Sequence, residues 1–259
     1  MSDAPRRSAR HLGLAPTGEK RKPPVWQMAE VVEVIEETPE TRSLRLRLPD
    51  PSPYLPGQYY NIRIPVEGRP RPIQRAYSLG SSPHPSSDVV EVGVKEMVGG
   101  LVSPVLVRES PVGTMLEVRG PYGAFVWTEN DGGPVLLVGA GSGVVPLMAM
   151  IRYQVARGIE IPMHLLFSSK SREFVIYGKE LDEIAASHPW FRVTHTYTRD
   201  ATDTSARYHR RIDKEMIAEC MGPAELAYIC GPPEMVEDAE RVLVDHGLAP
   251  EKVHTEKYD

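Results

Sequence analysis

Four apolar residues in a row, Val135 to Val138, run directly into Gly139-Ala140-Gly141-Ser142-Gly143, and a helical pattern then carries through Gln154. A bare apolar run without alternation predicts a strand covered on both faces, as in a parallel sheet flanked by helices. Glycines between such a strand and a helix are the context a nucleotide loop needs. Gly139 to Pro146 departs from the Gly-x-Gly-x-x-Gly fingerprint: its second and third glycines sit closer, and Pro146 stands where a rigid helix start is expected. Further strands are expected at Met163 to Ser168, Arg192 to Tyr197, Leu226 to Cys230 and Lys252 to Thr255. Helical stretches lie between most of them, notably Lys179 to Ala186 and Glu234 to Asp245. This alternation predicts a parallel α/β sheet, which begins at the turn near Asp131 to Pro134.

Ahead of that turn the texture differs. Met28 to Ile35 and Thr41 to Leu48 are β-rich and separated by Glu37-Thr38-Pro39-Glu40; Gln58 to Ile64, Ile73 to Leu79, Val89 to Met97 and Met115 to Gly120 continue the count. Six short strands at this spacing predict an antiparallel six-stranded β-barrel. Gly99 to Arg108 interrupts the rhythm and reads as a short helix. Residues 1–25 carry Arg6, Arg7, Arg10, Lys20, Arg21 and Lys22 with prolines and no apolar period, a basic tail expected to be disordered. Its acidic residues and lack of an amphipathic pattern argue against a transit peptide, and it has no secretory apolar core. The division expected is therefore a tail at 1–25, a barrel domain at 26–130 and an α/β domain at 131–259.

Composition narrows the function. With 41% hydrophobic and 25% charged residues among 259, the chain is of the soluble globular class, and its apolar runs fall short of a membrane span. A net charge of -5 argues against a general nucleic-acid binder. Two cysteines, Cys220 and Cys230, cannot supply a four-thiolate cluster, and eight scattered histidines show no metal-binding spacing. Sparse cysteine fits a reducing compartment, and the cytoplasm is the expected location.

Within the barrel half, Arg75-Ala76-Tyr77-Ser78 read as a strand places Arg75 and Tyr77 on one face and Ala76 and Ser78 on the other. A guanidinium beside an aromatic ring suits a ligand with phosphate at one end and a planar ring at the other, such as a flavin. An ordinary half-exposed strand would look the same. Gly99-Gly100-Leu101-Val102-Ser103 offers backbone amides to an anion at a helix start, or else a tight turn with Ser103 as cap. Cys230-Gly231-Pro232-Pro233 ends a parallel strand, where ligand crevices open, although a lone cysteine there is ordinarily structural.

In this order, Arg-x-Tyr-Ser, Gly-Gly-x-x-Ser, Gly-x-Gly-x-x-x-x-Pro and Cys-Gly-Pro-Pro resemble the ferredoxin-NADP reductase superfamily, from about residue 26 to the C-terminus. The resemblance implies that Tyr77 stacks on FAD, Arg75 binds its phosphate, Ser78 lies near the reactive N5, and Gly99 to Ser103 take the pyrophosphate. It also implies that Gly141, Ser142, Gly143 and Pro146 approach the nicotinamide nucleotide, with Cys230, Gly231 and Pro232 beside the nicotinamide. The end Glu256-Lys257-Tyr258-Asp259 resembles relatives in which a terminal aromatic covers the flavin; Tyr258 would do this and Glu256 would control charge near N5. Frayed termini are the alternative. Ser168 and Arg172 after the second strand, and Thr198, Arg199, Arg207 and Tyr208 after the third, are basic or hydroxylic and point to NADPH; Glu173, Asp200 and Asp203 keep NADH open.

The function implied is hydride transfer from NAD(P)H to FAD, with Ser78, Cys230 and Glu256 as catalytic residues and single electrons leaving to a ferredoxin or an oxygenase iron-sulfur component. FMN-binding relatives leave FMN open. A reductase of quinones, free flavins or nitro compounds, or a flavin relay subunit active only inside a complex, would share these motifs.

Overall fold

The structure, a computed structural model, describes residues 23–258, so all but the last three residues of the expected tail lie outside it. Strands β1 (Gln27–Thr38), β2 (Thr41–Arg47), β3 (Tyr59–Ile64), β4 (Ile73–Ser78), β5 (Val89–Lys95) and β6 (Met115–Tyr122) form one antiparallel sheet in the order β4-β3-β6-β1-β2-β5. An antiparallel bridge between Leu79, just past β4, and Val92 of β5 brings the two outer strands together and closes the sheet into a barrel at that end. Ala29, Val31, Leu44, Leu46, Ile62, Val92 and Val118 fill its interior, each almost wholly buried and each worth very roughly 1.5–3 kcal/mol where the side chain is large. The expected helix is α1 (Ser103–Arg108), which starts with Ser103 inside its first turn. Ser103 is therefore no cap: its hydroxyl accepts from the Met97 N–H at 3.0 Å.

In the second half, β7 (Val135–Ala140), α2 (Val144–Arg157), β8 (Met163–Ser169), α3 (Gly178–Ser187), β9 (Phe191–Tyr197), α4 (Lys214–Met221), β10 (Leu226–Gly231), α5 (Pro233–Asp245) and β11 (Val253–Lys257) follow in order. The five strands are parallel and run β11-β10-β7-β8-β9. Alternate residues serve two cores. Leu137, Leu165, Phe167 and Tyr228 pack with α2 and α3, while Leu136, Val138, Leu166 and Ile229 pack with α4 and α5. This is why Val135 to Val138 shows no polar alternation. No helix among the described residues is long and apolar enough to cross a membrane.

The two halves meet through small residues and buried charge. A Cβ on Gly93 would lie 2.4 Å from Val145 of α2, and one on Gly80 would lie 2.6 Å from the Tyr177 hydroxyl, so only glycine admits this approach. Arg152 of α2 donates to Gly80 O at 2.8 Å and to Glu91 of β5 at 2.6 Å, and grips Glu180 of α3 with its other nitrogens. Tyr177 takes a left-handed backbone (φ 59°), with its N–H donating to the Glu37 carboxylate of β1. Such a conformation in a bulky residue persists only where its surroundings hold it.

Candidate functional site

Strand order reverses between β7 and β10. The chain moves from β7 to β8 to β9 on one side and returns to place β10 on the other, so a crevice opens beyond their carboxyl ends. Gly139 pairs in register with Cys230, and Gly141–Gly143 form a single tight helical turn leading into α2. Gly141 has a φ of 51°, and a Cβ on Gly143 would lie 2.1 Å from Cys230 O. The glycines thus bring the loop onto the end of β10, and Pro146 is buried in the first turn of α2. Gly231 is buried beneath Met235, whose methyl a Cβ there would approach to 2.5 Å.

Beside this loop lies a cavity of about 170 Å³, lined by Gly141, Ser168, Ser169, Thr198, Pro232 and Tyr258 from the sheet, and by Thr38, Glu40, Thr41 and Lys95 from the barrel. Ser169 Oγ, buried in its wall, has no hydrogen-bond partner. Thr198 hydrogen-bonds Ser169 O through its N–H, and the Arg199 N–H bonds Lys170 O, so the ends of β8 and β9 are pinned together. The exposed Arg199 side chain is near enough to depress the Lys95 ammonium; burial is the larger cause and Glu40 opposes it. Arg172 turns away to an ion pair with Asp182 of α3. Arg207 and Tyr208 both bond Glu219 of α4. Thr198 and Ser168 therefore line the cavity and Arg199 follows Thr198 with an exposed side chain, while Arg172, Arg207 and Tyr208 already have acidic partners.

From the barrel, β4 reaches the α/β domain through Ser78, beside Glu256 of β11. Tyr77 packs partly on the barrel core, where burial raises its phenol well above the usual range; Arg75 and Ala76 are exposed. The Arg75 guanidinium donates to Gln74 O at 2.9 Å and has no carboxylate partner among the described residues. Gly99 has a φ of 76° and open space where a Cβ would stand, Gly100 closes a turn onto Met97 O, Leu101 is exposed and Val102 buried. A guanidinium without a carboxylate partner among the described residues, a ring and an open glycine turn are the groups that suit a flavin and its phosphates.

The two domains also touch between β4 and β11. Ser78 Oγ of β4 lies 3.5 Å from the Glu256 carboxylate, and Glu256 pairs in register with Cys230. Burial pushes the Glu256 carboxyl up to about 7, against the Ser78 hydrogen bond. The Cys230 thiol is 2% exposed and raised by burial and then by Glu256. Tyr258 donates to Ala140 O, packs on the core, and is pushed up to about 12 by burial and Cys230. Ser78, Glu256, Cys230 and Tyr258, 180 residues apart in sequence at the extremes, converge on one gap. Lys95, Glu40, Lys170 and Ser169 were missed as site residues. Lys170 and Ser169 stand in the basic and hydroxylic stretch after β8, but nothing local marks Lys95 or Glu40, which only domain packing brings to the cavity.

Residues 28–127 match the oxidoreductase FAD-binding domain and residues 137–241 the oxidoreductase NAD-binding domain. The chain is 31% identical over 240 residues to ferredoxin--NADP reductase B of Sorangium cellulosum, covering 89% of this chain and 97% of that protein. This chain belongs to the ferredoxin-NADP reductase superfamily. As the two domain matches require, it is an NAD(P)H-dependent FAD oxidoreductase. The reductase is also 31% identical over 241 residues to the ferredoxin reductase component of 3-ketosteroid-9-alpha-monooxygenase of Mycobacterium tuberculosis, covering 88% of this chain and 64% of that one. It spans about two thirds of the length of such reductase components. Among solved structures it resembles the Amycolatopsis cytochrome P450 reductase GcoB at 28% identity and a TM-score of 0.80, covering 93% of this chain and 72% of that one.

Proposed function

We propose that this reductase takes a hydride from NADPH in preference to NADH and delivers single electrons to a separate acceptor protein, a ferredoxin or the iron-sulfur component of an oxygenase. The observation that carries the proposal is the meeting of Ser78 and Glu256, 3.5 Å apart, with Cys230 beside them at the switch point of the parallel sheet. FAD, when bound, supplies the capacity to accept two electrons together and release them one at a time. The protein orients and adjusts charge. Arg75 would bind phosphate, Tyr77 and Tyr258 would pack on the ring system, and Gly99 to Ser103 would offer amides to the pyrophosphate. Ser78 donates or accepts as the electron count changes. Glu256, whose carboxyl is pushed up to about 7 by burial, can take up or release a proton close to that hydroxyl around neutral pH. Cys230 leaves room for the nicotinamide, and Gly143 keeps its loop on β10.

Support for a protein acceptor comes from relatives described as reductase components of oxygenase systems. The exposed loop between β3 and β4 adds to it: Arg69 and Arg71 have no carboxylate partner among the described residues and stand next to the flavin-side strand, a face suited to an acidic protein. Preference for NADPH is supported by Thr198 and Arg199 at the end of β9. We divide the domains at 130/131 and place the reductase in the cytoplasm, consistent with two free, buried cysteines.

The test begins with flavin extracted from the purified protein, followed by stopped-flow reduction with NADPH and NADH and reoxidation by ferredoxins, quinones and ferricyanide. Bound FAD, reduction faster with NADPH, and salt-sensitive reoxidation by a ferredoxin are expected. Arg75→Ala should weaken FAD retention by about 1.5–3 kcal/mol, the range for a hydrogen bond to a charged group. Turnover with quinones or free flavin but with no protein acceptor would assign a small-molecule reductase instead. A flavin-loaded protein that no nicotinamide reduces would reject the proposal.

A further inference from the structure

The cavity beside Gly141 holds a carboxylate shared by two ammonium groups from different domains. Glu40 follows the turn between β1 and β2, on the barrel side. Its carboxylate ion-pairs with Lys170 Nζ of the α/β domain and lies 3.9 Å from Lys95 Nζ of β5. All three residues line the cavity. A Cβ on Gly141 would stand 3.5 Å from Lys95 Nζ and 3.4 Å from the Tyr258 hydroxyl, so Lys95 reaches the glycine loop itself. A phosphate arriving at that loop therefore meets two ammonium groups that already share a carboxylate.

The Glu40 backbone is fixed while its side chain is free to move. Its N–H donates to Thr38 Oγ1 at 3.2 Å and its carbonyl accepts from the Glu96 N–H at 2.8 Å. The side chain is 36% exposed, so a rotation of its own bonds carries the carboxylate into water while the backbone bonds of the turn stay in place.

We propose that Glu40 is a tethered competitor for the nucleotide phosphates. It occupies Lys170 and Lys95 while the crevice is empty, yields them when the nucleotide binds, and returns as the nucleotide leaves. It thereby limits affinity and hastens release. The proposal rests on the reading of this crevice as the nicotinamide nucleotide site. Its signature is a gain of affinity on removing a charge, because an incoming phosphate no longer has to displace an anion.

The experiment compares wild type, Glu40→Gln, Lys170→Gln and the double variant as FAD-loaded proteins. NADP+ binding is titrated by flavin difference spectra at several salt concentrations, and steady-state kcat and KM are measured with NADPH. Glu40→Gln should bind NADP+ about 3-fold to 10-fold more tightly, the scale of a half-exposed ion pair. Its affinity should fall more steeply with salt, because the nucleotide then meets two uncompensated cations. KM should drop, and kcat should drop with it if product release governs turnover. Lys170→Gln should weaken binding and erase most of the Glu40→Gln effect. If Glu40→Gln leaves affinity unchanged or weakens it while Lys170→Gln weakens it, the crevice binds nucleotide and Glu40 is only a strut between domains, which overturns the proposal. If neither variant moves NADP+ affinity, the crevice reading fails and the proposal fails with it.

Discussion

Glu256 is an acid in a place that disfavours its charge, and replacing it by Gln tests the site directly. Its carboxyl, ordinarily near 4.5, is pushed up to about 7 by burial between the two domains, with the Ser78 hydroxyl pulling the other way. In the unfolded chain it ionises near 4.5, so between 4.5 and 7 the folded protein holds a proton that the unfolded chain has lost. Stability from this group is therefore complete below pH 4.5, declines through the window, and is lost above pH 7. A shift of this size is worth about 3 kcal/mol, taken as an order of magnitude. Gln keeps the shape and can still accept from Ser78, but carries no charge to bury. Glu256→Gln should therefore match wild type near pH 4 and exceed its stability by about 3 kcal/mol at pH 8.5. Urea denaturation of the FAD-loaded proteins across that range measures the difference. In stopped flow, the pH profile of flavin reduction or reoxidation should inflect near 7 in wild type and lose that inflection in the variant. Parallel stability curves, or an inflection that survives the substitution, would refute the account of Glu256 as a buried acid titrating beside Ser78.

What was legible beforehand was whatever repeats locally. The switch from alternating strands to the bare run Val135 to Val138 announced the change of sheet type, because a strand covered on both faces has no reason to alternate. Arg75, Tyr77 and Ser78 stood out because one strand brings them together, and Gly141 and Gly143 because no other residue fits those backbones. The strand expected at Lys252 to Thr255 in fact runs over Val253–Lys257, and this puts Glu256 in the sheet and not in a frayed end. Partners that come from elsewhere in the chain left no local trace. Glu219 sits on α4, a helix that the pattern did not single out, and it engages both Arg207 and Tyr208. Glu91 is one charge in a buried strand until Arg152 reaches it from α2. Lys95 and Glu40 are unremarkable barrel residues until the α/β domain closes over them.

The same contacts set further expectations. Arg152→Met should cost about 3 kcal/mol, the low end for breaking a buried pair because Arg45 still reaches Glu91 at 3.3 Å, and adding Glu91→Gln should restore part of it in urea denaturation. Cys230→Ser should slow flavin reduction in stopped flow with FAD content intact; unchanged reduction would return Cys230 to the core. Gly143→Ala, whose Cβ would stand 2.1 Å from Cys230 O, should impair NADPH oxidation while ferricyanide still reoxidises photoreduced flavin. The sharpest contrast lies between two arginines near the end of β9. Arg199 is exposed and makes no side-chain ion pair among the described residues, whereas Arg207 is held with Tyr208 by Glu219. A 2′-phosphate can take Arg199 without displacing a carboxylate, but to use Arg207 it must compete with one already in place. Arg199→Ala should therefore lower NADPH efficiency by about 10-fold to 150-fold, the equivalent of one charge-assisted hydrogen bond at roughly 1.5–3 kcal/mol, and leave NADH nearly unchanged. Arg207→Ala should do much less, and Glu219→Gln, which frees Arg207, should favour NADPH further. Equal losses for NADPH and NADH in Arg199→Ala would mean that this side chain touches a part of the nucleotide common to both, and the discrimination would have to come from elsewhere in the crevice.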